Sequence, residues 1–547
     1  MTISSFSTPV NVTNVHQAGT ASRPGSLTML HGRSSISSNG REFHFLPVTT
    51  TNPSNRREVE LRHASARSYL ARSMHRHKKK NDVIPGAVIT SGRWDKTECQ
   101  SMLLCTVPGK VVDQHTKMLL HYCTQSFWPG FEVGSAAFHI PSFARDYNAL
   151  MSQGPALVHA LLWSAAVSLS YRRKTKVTDK DSLMHYNQAL KHISQDISRP
   201  VAEIPEQTLY AILSVTGPEV SLDDGEGIVR RAFDPPLKEL AWIHVYGRRL
   251  HIDAHATALM RIVDLKGGIH NLKSSEFQAS FNYMDLTRAT QKLIRPHLPV
   301  SKLYGRVKET HDRRQFFGYA PDLASWSCAE ESSEQIDRLV AGGLSTALQE
   351  VVYDMRIWVT VIEGYHCGTL KSLDTSLLTA HRDLIQQRLL ATLPDEEAII
   401  GEDMDAVPSI NDLIQTALLI FSIGVIFPIT YAPPYHRLAR RLKSQLEQHV
   451  DHASSDLLTW LGMLGVLCCE QVGNGLRGWF IHFLGTMERK RPSAGDWFTT
   501  KEESLEPFLW SSVSCDVAAE ATWREVQDGS RGWESTAWSG ILGTICA

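Results

Sequence analysis

His251 and His255 stand four residues apart in HIDAH, a spacing that would put both on one face of a helix. Two imidazoles so placed can bind one metal ion, as in the H-E-x-x-H pattern. Here Ile252 follows the first histidine and no third ligand lies nearby, so ordinary histidines are the simpler reading. Asp223 and Asp224 in SLDDGEG form a carboxylate pair of the kind that holds magnesium on a helix. Gly225 and Gly227 make this segment a loop, and no third acid follows in helical register. GNGLRG, with Gly473, Gly475 and Gly478, fits G-x-G-x-x-G. That motif cradles a pyrophosphate only between a strand and a helix. A helical pattern precedes it here, so a helix–helix turn is expected. No catalytic residue, metal or cofactor is proposed from these motifs, and the chain is not expected to be an enzyme.

The densest charge lies elsewhere. From Arg56 to Lys80 the chain carries nine Lys or Arg against two Glu and ends in RSYLARSMHRHKKK. Its Ala, Leu, Arg and Glu favour helix, but its apolar residues are too sparse for a core-facing stripe. Phosphate contact needs such cations, whereas reading a base sequence needs a scaffold that positions side chains in a groove. No such scaffold is recognisable. Arg72, Arg76, Lys78, Lys79 and Lys80 are therefore candidates for a nuclear-import signal or for weak, indirect nucleic-acid contact; a solvated tail is the plain alternative. His75 and His77 would add charge below about pH 6.5.

The remaining composition sets limits. Of 547 residues 42% are hydrophobic, enough for a large core, and the net charge of −1 excludes a polycation that coats nucleic acid. Nine cysteines are scattered without any C-x-x-C pair, which reads as reduced, mostly buried thiols. The first residues lack the basic start and apolar run of a secretory leader. They also lack acids up to Glu42, a trait of mitochondrial presequences, but their arginines are few and no amphipathic period is visible. The uncharged run Leu413–Tyr435 is long enough to span a membrane. Gln415, Pro428, Pro433 and Pro434 argue instead for a buried helix ending near Pro428, and no membrane association is expected.

Three regions follow. Residues 1–55 are Ser/Thr-rich and expected to be disordered, apart from the apolar island FHFLPV. Residues 56–84 form the basic, partly helical segment. Residues 85–547 are expected to be an all-α, bundle-like body of many helices, with a sub-boundary near 300–330. Gly154 and Pro155 can start a strongly apolar helix through Arg173. Leu183, Tyr186, Leu190, Ile193 and Ile197 recur at helical spacing, as do Leu259, Ile262 and Val263, with Gly267 placed to end that helix in a left-handed turn. Residues 219–236 read as an exposed loop. Further helices are expected over 333–363, 377–393, 410–427, 436–448 and 456–470.

Several of these stretches, in this order, resemble the fungal-specific transcription factor domain, the helical region usually found downstream of a Zn2Cys6 cluster. FHFLPVTTTNPSNRREVELRHASARSYLARSMHRHKKK is similar to an N-terminal phrase followed by an Arg/His-rich helix. GPALVHALLWSAAVSLSYRR with YNQALKHISQDI resembles an apolar helix and its partner. HATALMRIVDLKGGIHNL is similar to H-x-x-G-L-x-x-I-V-x-x-R-G-G-L, departing at Ala258 and Lys266. The most specific stretch runs from RLARRLKSQLEQHV through DLLTWLGMLGVLCCEQVGNGLRGWF, and EPFLWSSVSCDVAAEATWREV resembles the closing phrase. The likeness spans residues 43–80 and 115–527.

The resemblance implies a regulatory body in the nucleus, shared with the cytoplasm, that works through protein partners or self-association, with a small-molecule effector in an interhelical pocket. The six cysteines of the zinc cluster are missing, since none precedes Cys99. The usual DNA reader is thus not expected. The alternative from another class is a helical enzyme or ligand-binding protein of specialised metabolism.

Overall fold

The computed structural model describes residues 35–38 and 41–44 and most of 114–532. The first two segments pair as an antiparallel hairpin, β1 (Ser35–Ser38) with β2 (Arg41–His44), in register Ser35 to His44. All other regular structure among the described residues is helical, so the body is all-α as its periodicity predicts. The rest of the Ser/Thr-rich tail lies outside the described residues.

α1 (Gln114–Tyr122) runs into a π-type turn at Cys123–Phe127. α2 (Pro155–Arg172) starts with proline at its first position, where the missing N–H is no loss. α3 (Lys180–Ile197) buries Tyr186, Ile193 and Ile197 of the expected stripe. Leu183 and Leu190 are only partly covered, because the face turned inward also contains Ser182, His185 and Ala189. α4 (Glu206–Val215) and the short α5 (Ile243–Tyr246) precede α6 (Asp253–Leu265). Gly267 ends α6 at φ 90°, with its own N–H donated to the Asp264 carbonyl and that of Gly268 to Val263, the paired bonds of a left-handed cap.

α7 (Ser275–Lys292) lies between two hydrophobic cores. Phe277, Phe281 and Met284 enter the first, with α1 to α6. Leu286 and Ala289 enter the second. That second core gathers α8 (Lys302–Glu309), α9 (Thr346–His366), α10 (Thr375–Ala391), α11 (Ile410–Phe421), α12 (Ala432–His449), α13 (Ser455–Gln471), α14 (Arg477–Lys490), α15 (Trp497–Thr500) and α16 (Ser512–Gly532). Most of the 300–330 segment lies outside the described residues. Serines 345, 409 and 454 cap α9, α11 and α13, and Ser409 with Asp412 closes a reciprocal capping box.

The long apolar run becomes α11 plus a π-type turn at Ser422–Ile426, closed by the Phe427 N–H on the Ser422 carbonyl just before Pro428. Among the described residues no helix is long and apolar enough to cross a membrane. One expectation needs correction. The end of the 219–236 loop is not exposed: Ala232 and Phe233 are buried. Both their N–H groups donate to Gln471 Oε1, at 3.1 and 3.3 Å, and Phe233 fills the space over Gly424. A single phenylalanine in a polar, glycine-rich segment leaves no periodic signal to reveal this anchor.

Close approach of α13 and α14 depends on missing side chains. A Cβ on Gly465 would lie 2.3 Å from the Phe480 ring, and one on Gly462 would lie 2.8 Å from Leu484. Gly465→Ala is therefore expected to lower unfolding free energy in urea by about 1–3 kcal/mol, the usual cost of overpacking. An unchanged urea midpoint would refute this packing.

α9 clamps the approach to α16. Arg356 donates to the carbonyls of Pro507 and Phe508, both at 2.7 Å, and burial lowers its pKa to about 10. Glu363 accepts the Ser512 N–H at 2.6 Å. Burial holds the Glu363 carboxyl above its ordinary value of 4.5, against hydrogen bonds from residues 511–513 that favour the ionised form. The folded chain thus binds this proton more tightly than the unfolded chain. The group's stabilising contribution is full below about pH 4.5 and is lost as pH rises from there through the folded value. Glu363→Gln keeps an acceptor and removes the titration. Relative to wild type, its stability should improve between about pH 4.5 and 7, read from urea unfolding at several pH values.

Candidate functional site

The residues singled out for charge chemistry, Arg72, Arg76, Lys78, Lys79 and Lys80, lie outside the described residues, as do Asp223 and Asp224. The two histidines of HIDAH do not share a helical face. α6 begins at Asp253, so His251 precedes it, with Nε2 3.4 Å from Thr287 Oγ1, while His255 is buried inside the helix. Asp253 can start the helix with favourable charge at its N-terminus, which breaks the spacing argument. Among the described residues no group of three or more His, Cys, Asp or Glu is placed to hold a metal. Cys123, Cys468, Cys469 and Cys515 are buried thiols and Cys367 is exposed. Burial pushes the Cys469 thiol up to about 12, which disfavours the nucleophilic thiolate.

A histidine line that sequence reasoning missed joins α1, α2 and α3. His159 and His185 face each other through Nδ1 at 2.9 Å, so one presents the proton and the other the lone pair. Thr116 Oγ1 lies 3.3 Å from His185 Nε2, and the His192 ring stacks on His159 at 6.0 Å. His185 and His192 sit seven apart on α3, a repeat that marks one helical face, but His159 comes from another helix.

The glycine motif is the expected turn. Gly473 takes φ 63° after α13, and the Asn474 N–H returns to the Cys469 carbonyl at 2.8 Å. Gly475 is open: a Cβ there would meet nothing. No strand flanks this turn among the described residues, so no dinucleotide cradle forms. The turn instead makes one wall of a solvent-open cleft of about 630 Å³. Asn474, Gly475 and Leu476 face Pro433, His436, Arg437 and Arg440 on the first turns of α12. The basic helix and the glycine turn, which looked unrelated as motifs, thus meet in space.

The cations of this cleft differ in their attachments. Arg437 donates to the carbonyls of Gln291 and Lys292, at 2.6 and 2.9 Å, and so caps the C-terminus of α7. Burial lowers its pKa; Tyr431 opposes this, and Arg440 adds a lesser lowering. Among the described residues Arg440 donates only to the His436 carbonyl of its own helix, through Nε at 3.2 Å. Neighbouring cations are matched by acids. Arg477 bonds Glu525, Lys443 pairs with Glu447 and lies over Trp479, and Lys292 reaches Asp253.

No protein-family model, curated protein or solved structure matches the chain.

Arg437→Ala should cost about 1.5–3 kcal/mol in urea unfolding, since it strips charge-assisted bonds from two carbonyls. Arg440→Ala should fall within about 0.5 kcal/mol of wild type. Equal losses in both variants would refute the assigned division between an anchor to α7 and a cation bonded within its own helix.

Proposed function

We propose that the chain is a regulatory protein of the fungal transcription-factor type, a helical body that acts by binding partners in the nucleus; the six-cysteine pattern of a zinc cluster does not occur in these 547 residues. The observation that supports this reading is the convergence of the phrases carrying the resemblance. DLLTWL, RGWF and EPFLW lie on separate segments, yet their large side chains pack into one core. Trp460 donates Nε1–H to the Leu509 carbonyl at 2.9 Å and stacks on Phe508. Phe480 lies over Gly465, and Trp523 of α16 is buried in the same core. Residues scattered over some sixty positions thus share one packing unit.

In this reading Arg72, Arg76, Lys78, Lys79 and Lys80 are the import address, ahead of the body in a stretch with nine Lys or Arg against two Glu and few apolar residues. DNA binding, if required, comes from a partner or from weak phosphate contact by the same cations.

The test is localisation of the tagged full-length chain in a fungal host beside a variant with Arg76, Lys78, Lys79 and Lys80 changed to Ala. Wild type should concentrate in the nucleus and the variant in the cytosol. A nuclear variant would remove the address from this stretch. A wild type confined to the cytosol or mitochondria would overturn the regulator reading.

A further inference from the structure

The cleft between α12 and the α13–α14 turn has the volume of a small-ligand site. Such sites range over roughly 300–1,000 Å³ and combine apolar walls with a few convergent polar groups. Here about 630 Å³ is bounded by Pro433 and Leu476 as apolar edges and by two guanidinium groups. Arg437 and Arg440 are three apart on α12 and repel one another. Among the described residues no carboxylate pairs with either. The contrast with the surroundings is specific, because Arg477, Lys443 and Lys292 next to the cleft each have an acid within 3 Å. Arg437 is tied to the end of α7 by two hydrogen bonds, which places one charge beside the cleft. Gly475 leaves the opposite wall without a side chain. A cationic floor, a bare peptide and apolar edges together fit an anionic head on a compact apolar body.

We propose that this cleft binds a small organic oxyanion, a carboxylate or phosphate on an apolar body, with Arg440 as the adaptable charge contact, Arg437 as the fixed one, and Leu476 and Pro433 against the body. The site stands on the cleft itself and holds whether or not the chain regulates transcription. A guanidinium is suited to both head groups, since its planar fork matches two oxygens at once.

The test is calorimetric titration of the full-length chain with phenyl phosphate and with benzoate. Inorganic phosphate and phenol supply the head and the body alone. Arg440→Gln leaves the capping bonds of Arg437 in place. Arg524→Gln is the control for general charge, because Arg524 lies on α16 and pairs with Glu520. At least one organic anion should bind saturably at one site, more tightly than inorganic phosphate and phenol. The tighter of the two identifies the head group. Arg440→Gln should weaken it roughly tenfold or more, the usual effect of losing a hydrogen bond to a charged group. Arg524→Gln should not change it.

Absence of saturable binding by either organic anion up to about 10 mM would overturn the proposal. So would wild-type affinity in Arg440→Gln, or equal weakening in Arg524→Gln. A short DNA duplex that displaces the anion and binds more tightly would reassign the cleft to a nucleic-acid backbone and sink the small-ligand assignment. Nuclear localisation is read separately, so failure here is distinguishable from failure of the regulator reading.

Discussion

A helix buried on nearly every side cannot carry charge unless each charge finds a partner, and α10 carries two buried arginines. Arg388 bonds both Asp354 and Glu350 of α9, and its guanidinium lies 4.1 Å from the Tyr304 ring of α8. Arg382 donates to the Leu240 carbonyl at 2.7 Å and to Asp383, and lies over the Phe427 ring. Between them, Gln386 accepts from Ser422 and donates to Thr290 of α7. Removing one partner of such a buried pair leaves a charge stranded, at a cost of about 3–5 kcal/mol. The polar edge of α10 therefore sets where α7, α8 and α9 can sit. Apolar packing alone would accept several arrangements.

The same constraint reaches the backbone. Ala241 and Trp242 adopt left-handed φ values of 50° and 58°, a conformation that costs of order 1–3 kcal/mol for residues with side chains. Each is held from outside. Tyr283 of α7 donates to the Ala241 carbonyl, and Trp242 Nε1 donates to the Phe127 carbonyl. This kink joins the two cores, since Phe127 belongs to one and the Arg382 contact to the other. α7 completes the joint, with a different face in each core. The basic cleft is built at its end: Arg437 reaches across from α12 to cap α7, so the cleft's geometry follows from the position of that shared helix.

Much of the fold was legible because helices announce themselves locally. The apolar period over 456–470, the capping serines and the Gly267 stop all lie within a few residues of what they control. Elements expected at 377–393 and 410–427 appear as Thr375–Ala391 and as Ile410–Phe421 plus its turn. The misreadings have equally local causes. Spacing in HIDAH could not show that the helix begins two residues after His251. Polarity in 219–236 concealed Phe233. Of the candidate site, the basic helix and the glycine turn were each visible, but their meeting was not.

The amino-acid sequence by itself determined that this protein is helical, roughly where its helices start and stop, and that its buried face is large. These follow from contacts three and four residues apart, which the order of side chains states directly. Only the tertiary structure decided which polar groups are spent on the fold and which remain available. Arg437 and Arg440 are alike in sequence. One is committed to carbonyls 145 and 146 residues away, and the other, among the described residues, reaches only its own helix. That difference arises from long-range packing, which no local pattern encodes.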